Sequence, residues 1–264
     1  MTIRPEIPEE KIFEVKRNTK KIDFSKPYTF IYFGFWFSLL TFPVVLLGYV
    51  VVVFCRLFYG LRITGRRNKK FLRTRGCITI SNHCHYFDTV FASHALFPQR
   101  LYVSVVQRNF EVPYIRTLLR VLRAFPIPSG SMGLKMITPS VGEALNRGHH
   151  VHFLPEGELV YLSQTIYRFR LGAFYQSYIH QAPILPMVYV FKRRRLFKKE
   201  LGPNLIKMRL VFGEPIYPPR YREGDKFPVR DLERMCETAA SWMERTIADY
   251  HAVVTHGRKT NGTS

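Results

Sequence analysis

A histidine and an aspartate five positions apart, in the stretch N-H-C-H-Y-F-D at 82–88, are the residues of this chain best equipped for chemistry. An imidazole that titrates near neutrality, with a carboxylate on its other nitrogen, can take a proton from a hydroxyl. Five residues of regular helix turn about 500°, so His83 and Asp88 cannot share a helix face. The run C-I-T-I-S at 77–81 reads as a strand, which places the pair on a strand-to-helix turn. His83 then stands near a helix N-terminus and Asp88 one turn in. Further along, F-L-P-E-G at 153–157 ends a second strand-like run and delivers Glu156 and Gly157. Ligands gather at the carboxyl ends of parallel strands, where such a carboxylate would stand.

Other chemistries are open at the same residues. His83, Cys84, His85 and Asp88, with His149, His150 and His152 on a nearby strand, offer metal-ligand types, and Cys84 offers a nucleophile. A zinc site needs three or four convergent ligands, whereas adjacent residues on a turn point different ways. No sequence feature lowers the pKa of Cys84. The plainest structural alternative is a histidine that caps a helix and an aspartate that bonds backbone. Proton abstraction by His83 remains the reading the pattern favours.

The order of several short blocks is more specific than any one of them. Asn82-His83-x4-Asp88, Ala124-Phe-Pro-Ile127, Phe153-Leu-Pro-Glu-Gly157, Phe169-x2-Gly172-Ala173 and Ala182-Pro-Ile-Leu-Pro186 follow one another. Over residues 61–218 this series resembles the glycerophospholipid acyltransferase family, the bacterial 1-acylglycerol-3-phosphate acyltransferases in particular. The resemblance implies that His83 deprotonates an acceptor hydroxyl as it attacks an acyl thioester, while Asp88 fixes the tautomer. The acyl group would pass directly, without a covalent enzyme intermediate. Asn82, Glu156 and Gly157 would belong to the acceptor side. No cofactor is implied; acyl-CoA or acyl carrier protein would be the donor.

Two positions depart from the family pattern. The family continues E-G-T-R where this chain reads Glu156-Gly157-Glu158-Leu159, and a second block ends in arginine where this chain reads Phe125-Pro-Ile-Pro-Ser129. Both arginines expected on the acceptor phosphate are missing, and guanidinium–phosphate contacts are among the stronger polar interactions. Glu158 would repel a phosphomonoester. Arg123, Lys135, Arg168 and Arg170 are the cations that could stand in. The expected acceptor is 1-acylglycerol-3-phosphate; the alternatives are another lysolipid, or a catalytically idle lipid-binding relative.

Composition sets the surroundings. The chain has 264 residues, with 40 Lys and Arg against 19 Asp and Glu, a net charge of +21. Such a field attracts polyanions: nucleic acid, an anionic bilayer or phosphorylated substrates. No nucleic-acid module or basic face with interleaved aromatics is present, so membrane lipids are the expected partner. Lys192, Arg193, Arg194 and Arg195, with Lys198 and Lys199, fall between two strand-like runs and read as a basic hairpin loop. The cysteines Cys55, Cys77, Cys84 and Cys236 lack C-x-x-C spacing and read as reduced thiols.

Residues 27–55, a run of 29, contain no charge, longer than the roughly 20 apolar residues that cross a bilayer. Pro43 divides the run, and two helices of about 15 residues would each reach about 22 Å, short for a span. Five cations precede the run (Lys16, Arg17, Lys20, Lys21, Lys26) and six follow it (Arg56, Arg62, Arg66, Arg67, Lys69, Lys70), which gives no orienting bias. A hairpin dipping into one leaflet is therefore preferred over one transmembrane helix. The expected organisation is a polar lead-in at 1–26, a membrane segment at 27–59, an acyltransferase domain at 60–254 and a disordered tail at 255–264, on the cytoplasmic face of the membrane. Strands are predicted at 61–64, 77–81, 101–106, 150–154, 184–191 and 208–212. Helices are predicted at 89–96, 114–122, 138–146, 171–180 and 231–250. This alternation gives an α/β fold, a mixed and largely parallel sheet covered by helices.

Overall fold

A computed structural model describes residues 4–9, 20–68, 75–130, 132–196, 199–200, 202, 205–220 and 228–259. The expected flanking cations Lys16, Arg17, Lys69 and Lys70, the loop residue Lys198, and the tail at 260–264 lie outside the described residues. The strands are β1 (Arg62–Thr64), β2 (Ile78–Ser81), β3 (Leu101–Val106), β4 (Ala124–Ile127), β5 (His150–Phe153), β6 (Ile184–Arg193), β7 (Arg195–Leu196), β8 (Lys199–Glu200) and β9 (Ile206–Phe212). Seven of them form one sheet in the order β1-β9-β6-β2-β5-β3-β4, while β7 and β8 pair beyond the β6 end. Every pairing in the large sheet is parallel except β6 with β9. This is the mixed, largely parallel sheet that the alternating pattern predicts.

β6 shows why the centre holds. Its first eight residues are all buried, with Ile184, Val188 and Val190 packed on one face and Leu185, Met187, Tyr189 and Phe191 on the other. Side chains alternate with period two, so an unbroken apolar run fits only a strand covered on both sides. The helices are α1 (Phe35–Phe58), α2 (Asp88–Leu96), α3 (Gln107–Phe110), α4 (Pro113–Val121), α5 (Gly133–Asn146), α6 (Gly172–Ile179) and α7 (Val229–Lys259). Residues of α5, α6 and α7 pack in one core cluster, and those of α1 and α2 in the other.

Four expectations are corrected. The apolar N-terminal segment is one 24-residue helix, not a two-helix hairpin: Pro43 lies inside α1. A proline interrupts only its own backbone bond, and the Thr41 hydroxyl bonds the Phe37 carbonyl at 2.8 Å one turn before. Residues 27–34 are not part of that helix, for Phe30 and Ile31 are buried in the core and Phe33 meets Tyr102 edge-on at 5.5 Å. Strand β4 was not expected; it is an edge strand, a place where its Pro126 leaves no ladder bond unmade. Helix α7 continues through 255–259, part of the predicted disordered tail, and α5 begins at Gly133 with Pro139 in its interior.

Candidate active site

The carboxyl ends of β2 and β5 are neighbours, and the two motifs follow them directly. His83 Nδ1 lies 2.7 Å from Asp88 Oδ2. With Nδ1–H donating to that carboxylate, Nε2 carries the lone pair and is free to accept a proton. Asp88 opens α2 and is itself fixed: the same oxygen accepts the backbone N–H of Cys84 (3.1 Å) and His85 (3.3 Å), and Oδ1 accepts that of Thr89 at 2.7 Å. Asp88 is fully buried, whereas the His83 side chain keeps 19% of its surface open. The dyad is a rigid base with one accessible face.

Glu156 holds the turn from the adjacent strand. Its Oε2 accepts the backbone N–H of His83 at 2.8 Å and its Oε1 that of Tyr167 at 3.0 Å. The loop after it adds Val160 N–H to the His83 carbonyl and Leu162 N–H to the Cys84 carbonyl. Gly157 turns the chain at φ +82°, and a Cβ there would come within 3.0 Å of the Arg170 guanidinium. Glycine is therefore favoured by the backbone conformation, and it also lets Arg170 approach closely without shifting.

The electrostatics suit the geometry. Burial pushes the His83 pKa down, but the charge and hydrogen bond of Asp88 outweigh it and leave it above the ordinary 6.5. Burial raises Glu156 to about 7 against the two N–H groups that favour its charged form. Cys84 is fully buried, and burial with the nearby Asp88 and Glu156 charges pushes its thiol well up, so it is no thiolate nucleophile. His152 lies below the turn between the Thr79 and Ser81 hydroxyls, at 2.9 and 3.3 Å, and burial lowers it to about 4. Among the described residues no three His, Cys, Asp or Glu side chains group as metal ligands.

The structure separates the other candidates. Asn82 is turned into the fold: its amide is buried and exchanges bonds with the Tyr189 backbone, accepting N–H at 2.8 Å and donating to the carbonyl at 3.2 Å. It ties the turn to β6. Arg168 and Arg170 do line a cavity of about 370 Å³ that Glu156 also walls. Arg168 pairs with Glu6 at 2.8 Å, and among the described residues the Arg170 guanidinium, beside Gly157, has no ion pair. Glu158 does not stand as a bare negative charge, because Arg108 of α3 pairs with it. Arg108 is the functional neighbour that sequence reasoning missed; it lies 50 positions from its partner, and no local pattern links them. Lys135 is exposed in the first turn of α5 and does not line the cavity. Arg123 is at the wrong end of the sheet. It precedes β4, and in a parallel sheet the amino ends lie a strand's length from His83.

The chain is similar to known proteins in sequence pattern and in fold. Residues 62–190 match the family model described as Acyltransferase. The 1-acyl-sn-glycerol-3-phosphate acyltransferase of Bacillus subtilis (strain 168) is 24% identical over 144 residues, which cover 54% of this chain and 67% of that protein. The crystal structure of the 1-acyl-sn-glycerophosphate (LPA) acyltransferase PlsC from Thermotoga maritima is similar in fold, with a TM-score of 0.50 at 15% identity. That likeness covers 73% of this chain and 72% of the other.

Proposed function

From the acyltransferase-family domain at residues 62–190, we propose a membrane-surface O-acyltransferase that moves a fatty acyl group from a thioester to the hydroxyl of a lysophospholipid. The observation that carries the reading is the His83–Asp88 pair at 2.7 Å, with Nε2 open at the carboxyl edge of the sheet. His83 Nε2 takes the acceptor's hydroxyl proton as the oxygen attacks the thioester carbonyl. The resulting tetrahedral intermediate collapses with cleavage of the carbon–sulfur bond. The thiolate leaves and recovers the proton from His83 as a free thiol, so the enzyme ends as it began. Coenzyme A and acyl carrier protein are the two donor classes that leave such a thiol.

The acceptor is proposed to be 1-acylglycerol-3-phosphate. Arg170 supports this, since it brings against Gly157 a guanidinium that has no ion pair among the described residues, and the Arg108–Glu158 pair removes the repulsion that Glu158 would exert. Arg170→Ala should raise KM for this acceptor about 10-fold and leave kcat within a factor of a few, as expected for a charge-assisted phosphate contact. Thiol release and product mass, with a panel of lysolipids in mixed micelles, would show it. Equal KM values for both proteins, or turnover only with acceptors lacking a phosphomonoester, would overturn the assignment.

Helix α1 gives the membrane contact. Trp36, Leu40, Leu47, Phe54 and Leu57 are each at least 64% exposed, a continuous apolar face that water would not tolerate for long. The opposite face packs on the domain: Tyr49 meets His94 and Phe97, and Tyr59 meets His85 at 4.8 Å. A helix bound along its side to a charged domain lies in the membrane plane, on the cytoplasmic surface in this reading, with His83 beside its C-terminal end.

A further inference from the structure

Arg100, Arg123 and His149 stand immediately before β3, β4 and β5, and Arg147 immediately follows α5. The strand order β5-β3-β4 makes them neighbours at the amino ends of the sheet, away from the catalytic turn. Burial lowers the His149 pKa, and the three arginines lower it further. Most of these cations have partners: Arg100 donates to the Tyr102 hydroxyl, Arg147 pairs with Glu143, and Arg120 donates to the Tyr28 hydroxyl at 2.9 Å. The Arg123 backbone bonds the Arg120 carbonyl and the Val103 N–H, but its guanidinium has no hydrogen bond or ion pair among the described residues. Its backbone adopts φ +63°, the left-handed conformation in which helices such as α4 usually end on glycine. An arginine held there against strain, half-buried and unpaired, is a group awaiting an anion.

The space it faces is built to receive one. Arg120, Arg123, Tyr32, Ser38, Thr41 and Tyr102 line a pocket with about 20 Å³ of room for water-sized groups. That admits one or two oxygen atoms, not a whole small molecule. Ser38 lies in the first turn of α1, whose N-terminus has no side-chain cap and no acidic residue. The positive end of the helix dipole is therefore turned toward the same place. Immediately outside, Trp36, Leu39 and Leu40 are 73%, 51% and 78% exposed.

We propose that this pocket seats phosphate oxygens of an anionic phospholipid whose acyl chains lie along the first turns of α1. The site is separate from the acceptor cavity, lying at the amino ends of the strands whose carboxyl ends carry that cavity, and rests on α1 facing the membrane. It would pin the N-terminal half of the helix to acidic bilayers while the C-terminal half stays beside His83.

Native mass spectrometry of the detergent-solubilised full chain tests this with phosphatidylglycerol, phosphatidylcholine or inorganic phosphate. The expected result is one retained phosphatidylglycerol on the wild type and on Arg170→Gln, at least 10-fold less on Arg123→Gln, and an intermediate amount on Arg123→Lys. Phosphatidylcholine should not be retained, and millimolar phosphate should not displace the lipid. Equal retention by Arg123→Gln would overturn the proposal. So would loss confined to Arg170→Gln, which would put the lipid in the acceptor cavity. Displacement by free phosphate would overturn the lipid source. Arg123→Lys guards against misfolding of the glutamine variant, and acyl transfer to micellar acceptor should be unchanged in both. A wild type that retains phosphatidylglycerol but shows no turnover would refute the catalytic reading alone.

Discussion

Replacing His83 with alanine should lower kcat for acyl transfer by about 10²–10⁴-fold, with little change in KM and a thermal midpoint close to that of the wild type. The imidazole is partly open, and its loss leaves no buried acceptor unpaired, because the Asp88 carboxylate still accepts three backbone N–H groups, two at Oδ2 and one at Oδ1. The wild-type rate should also fall as pH drops, because the base works only as the neutral imidazole. Asp88 holds the His83 pKa above 6.5 despite burial, so the fall begins above that pH. Removing the carboxylate charge in Asp88→Asn lowers the His83 pKa, so the acid limb should move to lower pH while the plateau rate drops. A His83→Ala protein that keeps more than a tenth of the wild-type kcat would refute the general-base role.

What the sequence disclosed and what it hid differ in kind. His83, Asp88, Glu156 and Gly157 were legible because each follows a short apolar run that can only be a strand, and strand ends fix direction and register. The strands at 78–81, 101–106 and 150–153 were visible for the same reason, their β-branched and aromatic residues lying between turn signals. Arg123 was misread because charge type says nothing about which end of a sheet a residue occupies. Asn82 was misread because only the fold brings the Tyr189 backbone, 107 positions away, to its amide. The Arg108–Glu158 pair was hidden by the same long-range closure. Pro43 misled through a local rule: helix breakers act on one bond, and a long uncharged segment can continue past it.

Glu156 should prove as important as the dyad, and for a different reason. Its two oxygens each accept a buried N–H, from His83 and from Tyr167. Glu156→Ala would leave both donors unpaired, at about 1–3 kcal/mol each, and release the turn that aims His83. Stability should fall by several kcal/mol and kcat by at least 10²-fold, comparable to loss of a catalytic group. Glutamine is no conservative substitute here, since its amide offers one acceptor oxygen and points an NH₂ at the other donor. The pH dependence separates this role from simple packing. Burial raises Glu156 to about 7 from the usual 4.5, so the folded state binds a proton that the unfolded chain has released. Its contribution to stability is full below pH 4.5 and is lost as pH rises through about 7, roughly 3 kcal/mol in all. The charged form that best holds the catalytic turn is thus the one that burial opposes. Thermal midpoints measured from pH 5 to pH 8 should fall more steeply for the wild type than for Glu156→Gln. Parallel curves for the two proteins would show that Glu156 is already ionised in the folded protein across this range and that burial does not raise its pKa.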